Sequence, residues 1–94
     1  GTVRLPKPVD VKALPGFAEG AFWVQDAAAT VPARLMKVQG GQKIADLCSA
    51  PGGKTAQLAL TGADVTALEI SPNRIERLKN NLARIGVESS VTPI

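Results

Sequence analysis

Between Asp46 and Ala59 the chain reads "DLCSAPGGKTAQLA", with its single thiol, two adjacent glycines, a lysine and a threonine set between an apolar run and an alanine-rich one. Residues of these types allow three kinds of chemistry: attack by a thiolate, backbone amides presented to an anion, or a sharp turn that brings a ligand close to the main chain. A phosphate-cradling loop needs Gly, four residues, then Gly-Lys-Ser/Thr. Gly53-Lys54-Thr55 supplies that ending, but Cys48 stands where the first glycine belongs. The dinucleotide fingerprint Gly-x-Gly-x-x-Gly also fails, because Gly52 and Gly53 are adjacent and no third glycine follows in register. What remains is a tight turn with close backbone approach. Glu69 follows Gly52 by 17 residues, near the roughly 20-residue offset at which a carboxylate receives a ribose diol. A carboxylate accepts from two hydroxyls at once, so a nucleoside without phosphates fits both features. A solvated acid at a strand end is the other reading of Glu69 taken alone.

The elements around this loop alternate. "KIADL" (43–47) suits a buried strand, residues 54–61 a helix closed by Gly62, and "DVTALEI" (64–70) a second strand. Ser71 as cap, Pro72 at the first helical position and Gly86 just past the end bound a helix over 72–85. Its Ile75, Leu78, Leu82 and Ile85 form one apolar stripe. "VESSVTPI" (87–94) begins a third strand. This series predicts an α/β fold, a parallel sheet with right-handed crossovers and flanking helices. Upstream, three prolines (Pro6, Pro8, Pro15) make residues 1–15 an extended entry arm. "GFAEGAFWV" (16–24) suggests a small hairpin, and a helix capped by Asp26 or Thr30 follows to about Val38, closed by Gly40 and Gly41. Two to three strands are a poor parallel sheet, so the chain is expected to be a piece of a larger protein, with an open sheet edge through which it self-associates.

Ninety-four residues suffice for one small domain, and a net charge of +3 permits an anionic partner without implying one. One cysteine and no histidine leave no zinc site and no internal disulfide to expect. No stretch approaches the length of a membrane span and no signal peptide opens the chain, so the cytoplasm is the expected compartment.

The strings "GFAEGAFWVQD", "VQDAAA", "ADLCSAPGGKTAQLA" and "VTALEISPNRIERLKNNLARIGV" resemble the Sun/Nop-type RNA (cytosine-5-)-methyltransferases, and their bacterial ribosomal RNA branch above all. The likeness covers residues 16–91, read as the N-terminal part of a Rossmann-like methyltransferase domain (16–94). It implies S-adenosyl-L-methionine as cofactor, bound by Cys48, Ser49, Ala50, Pro51, Gly52, Gly53 and Lys54. Glu69 matches the ribose clamp, and Arg74 a basic position framing the adenosine side. Asp46 matches an acid that orders the loop. Gln25 and Asp26 match a segment that the residues themselves suggest is a helix start. The family methylates carbon 5 of cytosine after a cysteine thiolate adds to carbon 6. Its catalytic cysteine lies in an Asp-Ala-Pro-Cys motif that these 94 residues do not contain. Cys48 is therefore expected to serve the loop and not as nucleophile, and the chain to be inactive alone.

Two rival readings stand beside this one. A non-catalytic nucleic-acid-binding module would use Arg74, Arg77, Lys79 and Arg84 on the basic helix 72–85. A purely structural fragment would hold no ligand at all.

Overall fold

The computed structural model describes the backbone of residues 2–94 and the side chains of all of these except Ser89 and Pro93. Three strands, β1 (Lys43–Asp46), β2 (Asp64–Ala67) and β3 (Val91–Pro93), form one sheet in the order β1-β2-β3. Both pairings are parallel, with Ile44 opposite Val65 and Val65 opposite Val91. The connections run through α2 (Gly53–Ala59) and α3 (Pro72–Ile85), while α1 (Val31–Leu35) precedes the sheet. Right-handed crossovers that step the same way put α2 and α3 on one face. The strand side chains agree: Val65, Ala67 and Val91 are buried, with Ile44 packed against them, whereas Ala45 and Thr92 are exposed.

The core that joins sheet to helices is built from small residues. Ala56, Ala59, Ala63 and Ala67 pack with Leu58, Leu78, Leu82 and Val65. Leu78 and Leu82 are the two inward positions of the α3 stripe, and both are essentially sealed from solvent. Helix α3 has the bounds its sequence predicts. Ser71 Oγ accepts from Arg74 N, Pro72 opens the first turn, and Gly86 closes it at φ +87°, a conformation that glycine adopts without steric cost. The two strands flanking the loop are shorter than expected, ending at Asp46 and Ala67, and β3 follows a single 3-10 turn at Glu88–Ser90.

The upstream segment departs from its expectation. Residues 16–24 form no hairpin. Successive turns run through them, with Phe17 N donating to Leu14 O, Gly20 N to Phe17 O and Ala21 N to Gly16 O. The cause lies far along the chain. The Arg84 guanidinium donates to the carbonyls of Phe17 (2.7 Å) and Phe22 (2.8 Å) and stacks 3.8 Å from the Phe17 ring centroid. Those carbonyls face α3 instead of a second strand. The next helix is also shorter than expected: a 3-10 turn over Ala27–Thr30 leads into α1, which ends at Leu35. Asp26 and Thr30 stand at the N-cap positions of the 3-10 turn and of α1, but neither side chain bonds a cap amide, and the Thr30 hydroxyl donates to Ala27 O. The arm is extended up to a one-turn 3-10 helix at Val11–Ala13, capped by Asp10.

Candidate functional site

The loop after β1 is held from within by Asp46. Its Oδ1 accepts from Cys48 N at 3.2 Å, and its Oδ2 accepts from the buried Thr55 hydroxyl at 2.7 Å. Its carbonyl accepts from Ser49 Oγ at 2.8 Å. Ser49 N in turn donates to Leu68 O, which ties the loop to the end of β2. Asp46 therefore orders the loop, as the family resemblance implies, with Thr55 as its partner on α2.

Helix α3 grips the loop from the other side. Arg74 donates to Ala50 O at 3.1 Å and Asn81 Nδ2 to Pro51 O at 2.9 Å. Each of the two glycines answers to a neighbour in the fold. Gly52 sits at φ +110°, and a Cβ there would meet Leu78 Cδ1 at 2.9 Å; one on Gly53 would meet the Gln25 amide carbon at 3.0 Å. The tight turn expected here is present, and within it Leu78 crowds Gly52 and Gln25 crowds Gly53.

Just past the end of β2, the Glu69 side chain is 2% exposed and Oε1 is engaged. Oε1 accepts from Ser71 N at 3.1 Å and lies 3.7 Å from Arg74 Nη1. Oε2 is buried without a hydrogen-bond partner. A buried carboxylate oxygen left unpaired carries a desolvation cost, which a hydroxyl donor would remove. After the ends of the two strands, Leu47 and Cys48 are exposed and Ile70, next in sequence to Glu69, is 99% exposed. Ile70, expected at the end of the second strand, lies beyond β2 with its side chain in solvent.

The structure thus gathers Cys48–Lys54, Glu69 and Arg74 at the C-terminal ends of β1 and β2, where ligands bind in sheets of this kind. Cys48 is a free, exposed thiol, and Lys54 is exposed on the first turn of α2. Arg74 acts on the loop and on Glu69, linking the two. A small concavity of about 150 Å³ is lined by Ala50, Pro51, Arg74 and Arg77. A larger one, about 870 Å³, lies between the arm and residues 21–25 and includes none of the expected site residues. Among the described residues no cluster of His, Cys, Asp and Glu could hold a metal ion, and no helix is long and apolar enough to cross a membrane.

The basic helix offers less to an anionic polymer than its composition suggests. Arg74 and Arg84 are committed to carbonyls inside the fold. Lys79 lies 3.8 Å from Glu76. Gln25 and Asp26 do begin a helical turn, Asp26 O accepting from Ala29 N, but the Gln25 side chain turns inward towards α2.

Residues 33–93 match the sequence profile of the family described as 16S rRNA methyltransferase RsmB/F. The ribosomal RNA small subunit methyltransferase B of Salmonella arizonae is 46% identical over 91 residues, 95% of this chain and 21% of that protein. Its counterpart from Salmonella dublin is 48% identical over the same share. The chain therefore spans about one fifth of the length of these curated relatives. Among solved structures, PH0851 superimposes with a TM-score of 0.86 at 31% identity, over 94% of this chain and 20% of that one. NSun6 from Pyrococcus horikoshii, solved with SFG, gives 0.85 at 29% identity, over 93% and 23%. On its profile, its relatives and its fold, this chain belongs to the RsmB/F family of 16S rRNA methyltransferases.

Proposed function

We propose that the chain carries the S-adenosyl-L-methionine site of an enzyme that methylates carbon 5 of cytosine in ribosomal RNA. Residues 16–94 form the first part of its cofactor-binding domain, and residues 1–15 the entry arm. The unpaired Glu69 Oε2, buried at the end of β2, is the observation that carries the reading. The curated relatives are ribosomal RNA methyltransferases by name, and the archaeal NSun6 structure contains SFG, an analogue of the cofactor.

When bound, the cofactor supplies a methyl group on a positively charged sulfur. The chain's own residues bind and orient it. Glu69 accepts from the ribose hydroxyls through Oε2, while Ser71 N and Arg74 fix the carboxylate through Oε1. Ile70 covers one face of the adenine. The Cys48–Lys54 loop, tied down by Asp46, Arg74 and Asn81, lines the methionine side. Cys48 serves this loop. The nucleophile that adds to the cytosine is supplied elsewhere in the parent enzyme, and these 94 residues alone turn nothing over. Cytoplasmic RNA is the substrate that suits the family.

Isothermal titration with S-adenosylhomocysteine tests the reading. A saturable heat from the wild-type chain, weakened at least about tenfold in Glu69→Ala, is expected for loss of a charged hydrogen-bond acceptor. No heat at millimolar ligand would leave the chain a structural fragment. Tight, steeply salt-dependent RNA binding with no nucleoside binding would instead favour the nucleic-acid module.

A further inference from the structure

Gly53 opens α2, and its backbone does not need glycine, for its φ is not positive. The constraint comes from Gln25. A Cβ on Gly53 would stand 3.0 Å from Gln25 Cδ and 3.2 Å from both Cγ and Oε1. Gln25 cannot swing aside freely, because both ends of its amide are engaged. Oε1 accepts from Trp23 Nε1 at 2.9 Å, and Nε2 donates to Gln57 Oε1 at 2.9 Å and to Ala29 O at 3.2 Å. Gln57 Nε2 then donates to Thr30 O at 3.1 Å. The relay runs one way, from the Trp23 indole to the Thr30 carbonyl, and fixes both amides in one orientation. Gln57 is on α2 itself, one turn after Gly53.

We infer that Gln25 is a positioning residue for the cofactor loop: held by Trp23 and Gln57, it braces the backbone at Gly53 and so sets where Cys48–Lys54 meets the ligand. This rests on the S-adenosyl-L-methionine site proposed above. Gln25 reaches the ligand only through the loop. Trp23 and Ala29, which hold Gln25, and Thr30, which holds Gln57, all come from the segment before β1, so that segment helps to shape the site.

A double-mutant cycle on the whole 94-residue chain tests the inference, with S-adenosylhomocysteine affinity and thermal unfolding both measured. Gln25→Ala is expected to weaken binding about five- to tenfold through loss of the brace, a range set by one or two hydrogen bonds. Gly53→Ala weakens it similarly by pushing Gln25 out of place. In the double variant the added methyl enters space that Gln25 has vacated, so the two losses do not add. Gln25→Glu keeps the length and the Trp23 bond, and sets a charged oxygen against the Gln57 and Ala29 oxygens in place of the donor. It covers the case in which Gln25→Ala does not fold, and is expected to weaken binding as well. Val87→Ala, in the core and outside the hydrogen-bonded relay, should lower the unfolding temperature and leave affinity of the folded protein unchanged. Wild-type affinity in Gln25→Ala or Gln25→Glu, or strictly additive losses in the cycle, would overturn the inference while leaving the ligand site standing. Absence of binding by the wild type would overturn the ligand site and the inference with it.

Discussion

Glu69 is informative because its two oxygens have different surroundings. One is paired with a backbone amide and a guanidinium, the other is buried and unpaired. Replacing Glu69 with Gln keeps the shape and one acceptor, so it should weaken nucleoside binding less than Glu69→Ala, an ordering that titration of both variants would check. The loop glycines show where sequence alone runs out. A glycine pair after a strand signals a tight turn, and the turn is there, but nothing local reveals what crowds each Cα. The crowding atoms belong to Leu78 and Gln25, 26 residues downstream and 28 upstream of their glycines. Gly52→Ala should cost at least about 1–2 kcal/mol from the positive φ alone, with further loss as Leu78 yields. Chemical denaturation would measure that cost.

At the scale of elements, α3 was legible because its signals are local. Cap, proline, apolar spacing and closing glycine all lie within the helix or beside it. The stretch 16–24 was not, because its shape is imposed from elsewhere. Gly20 lies so close to α3 that a Cβ there would overlap the Arg84 carbonyl, and Arg84 takes the carbonyls that a hairpin would have paired. The same arginine counted, on composition, towards a nucleic-acid surface. Arg84→Met retains much of the stem but loses both hydrogen bonds and the stacking on Phe17. It should destabilise the chain by about 2–3 kcal/mol, read from the shift in the unfolding midpoint. Arg77→Met, on the exposed side of the same helix, should shift that midpoint by no more than about 0.5 kcal/mol. Equal effects would mean that the contacts of Arg84 carry no stability.

The whole molecule is a short sheet covered on one face. Both outer strands have open edges, and Leu47 and Ile70 stand 76% and 99% exposed near the ligand end. The parallel βαβ order and the place of the loop after β1 were readable from the alternation of apolar runs and turn residues. Open edges of this kind recruit further strands, and the isolated chain should self-associate, its sedimentation coefficient rising with concentration. Ala45→Lys on the uncovered face should suppress that rise without lowering the unfolding midpoint. A coefficient independent of concentration in the wild type would show that these edges are already protected.

The central claim, a ribose held by the free oxygen of Glu69, meets its most direct test in a comparison of two ligands on two proteins. Calorimetric affinities for S-adenosylhomocysteine and for its 2′,3′-dideoxyribose counterpart would be measured with the wild-type chain and with Glu69→Ala. The wild type should prefer the diol by about tenfold or more, and the variant should bind both equally weakly. An undiminished preference for the diol in Glu69→Ala would contradict the claim.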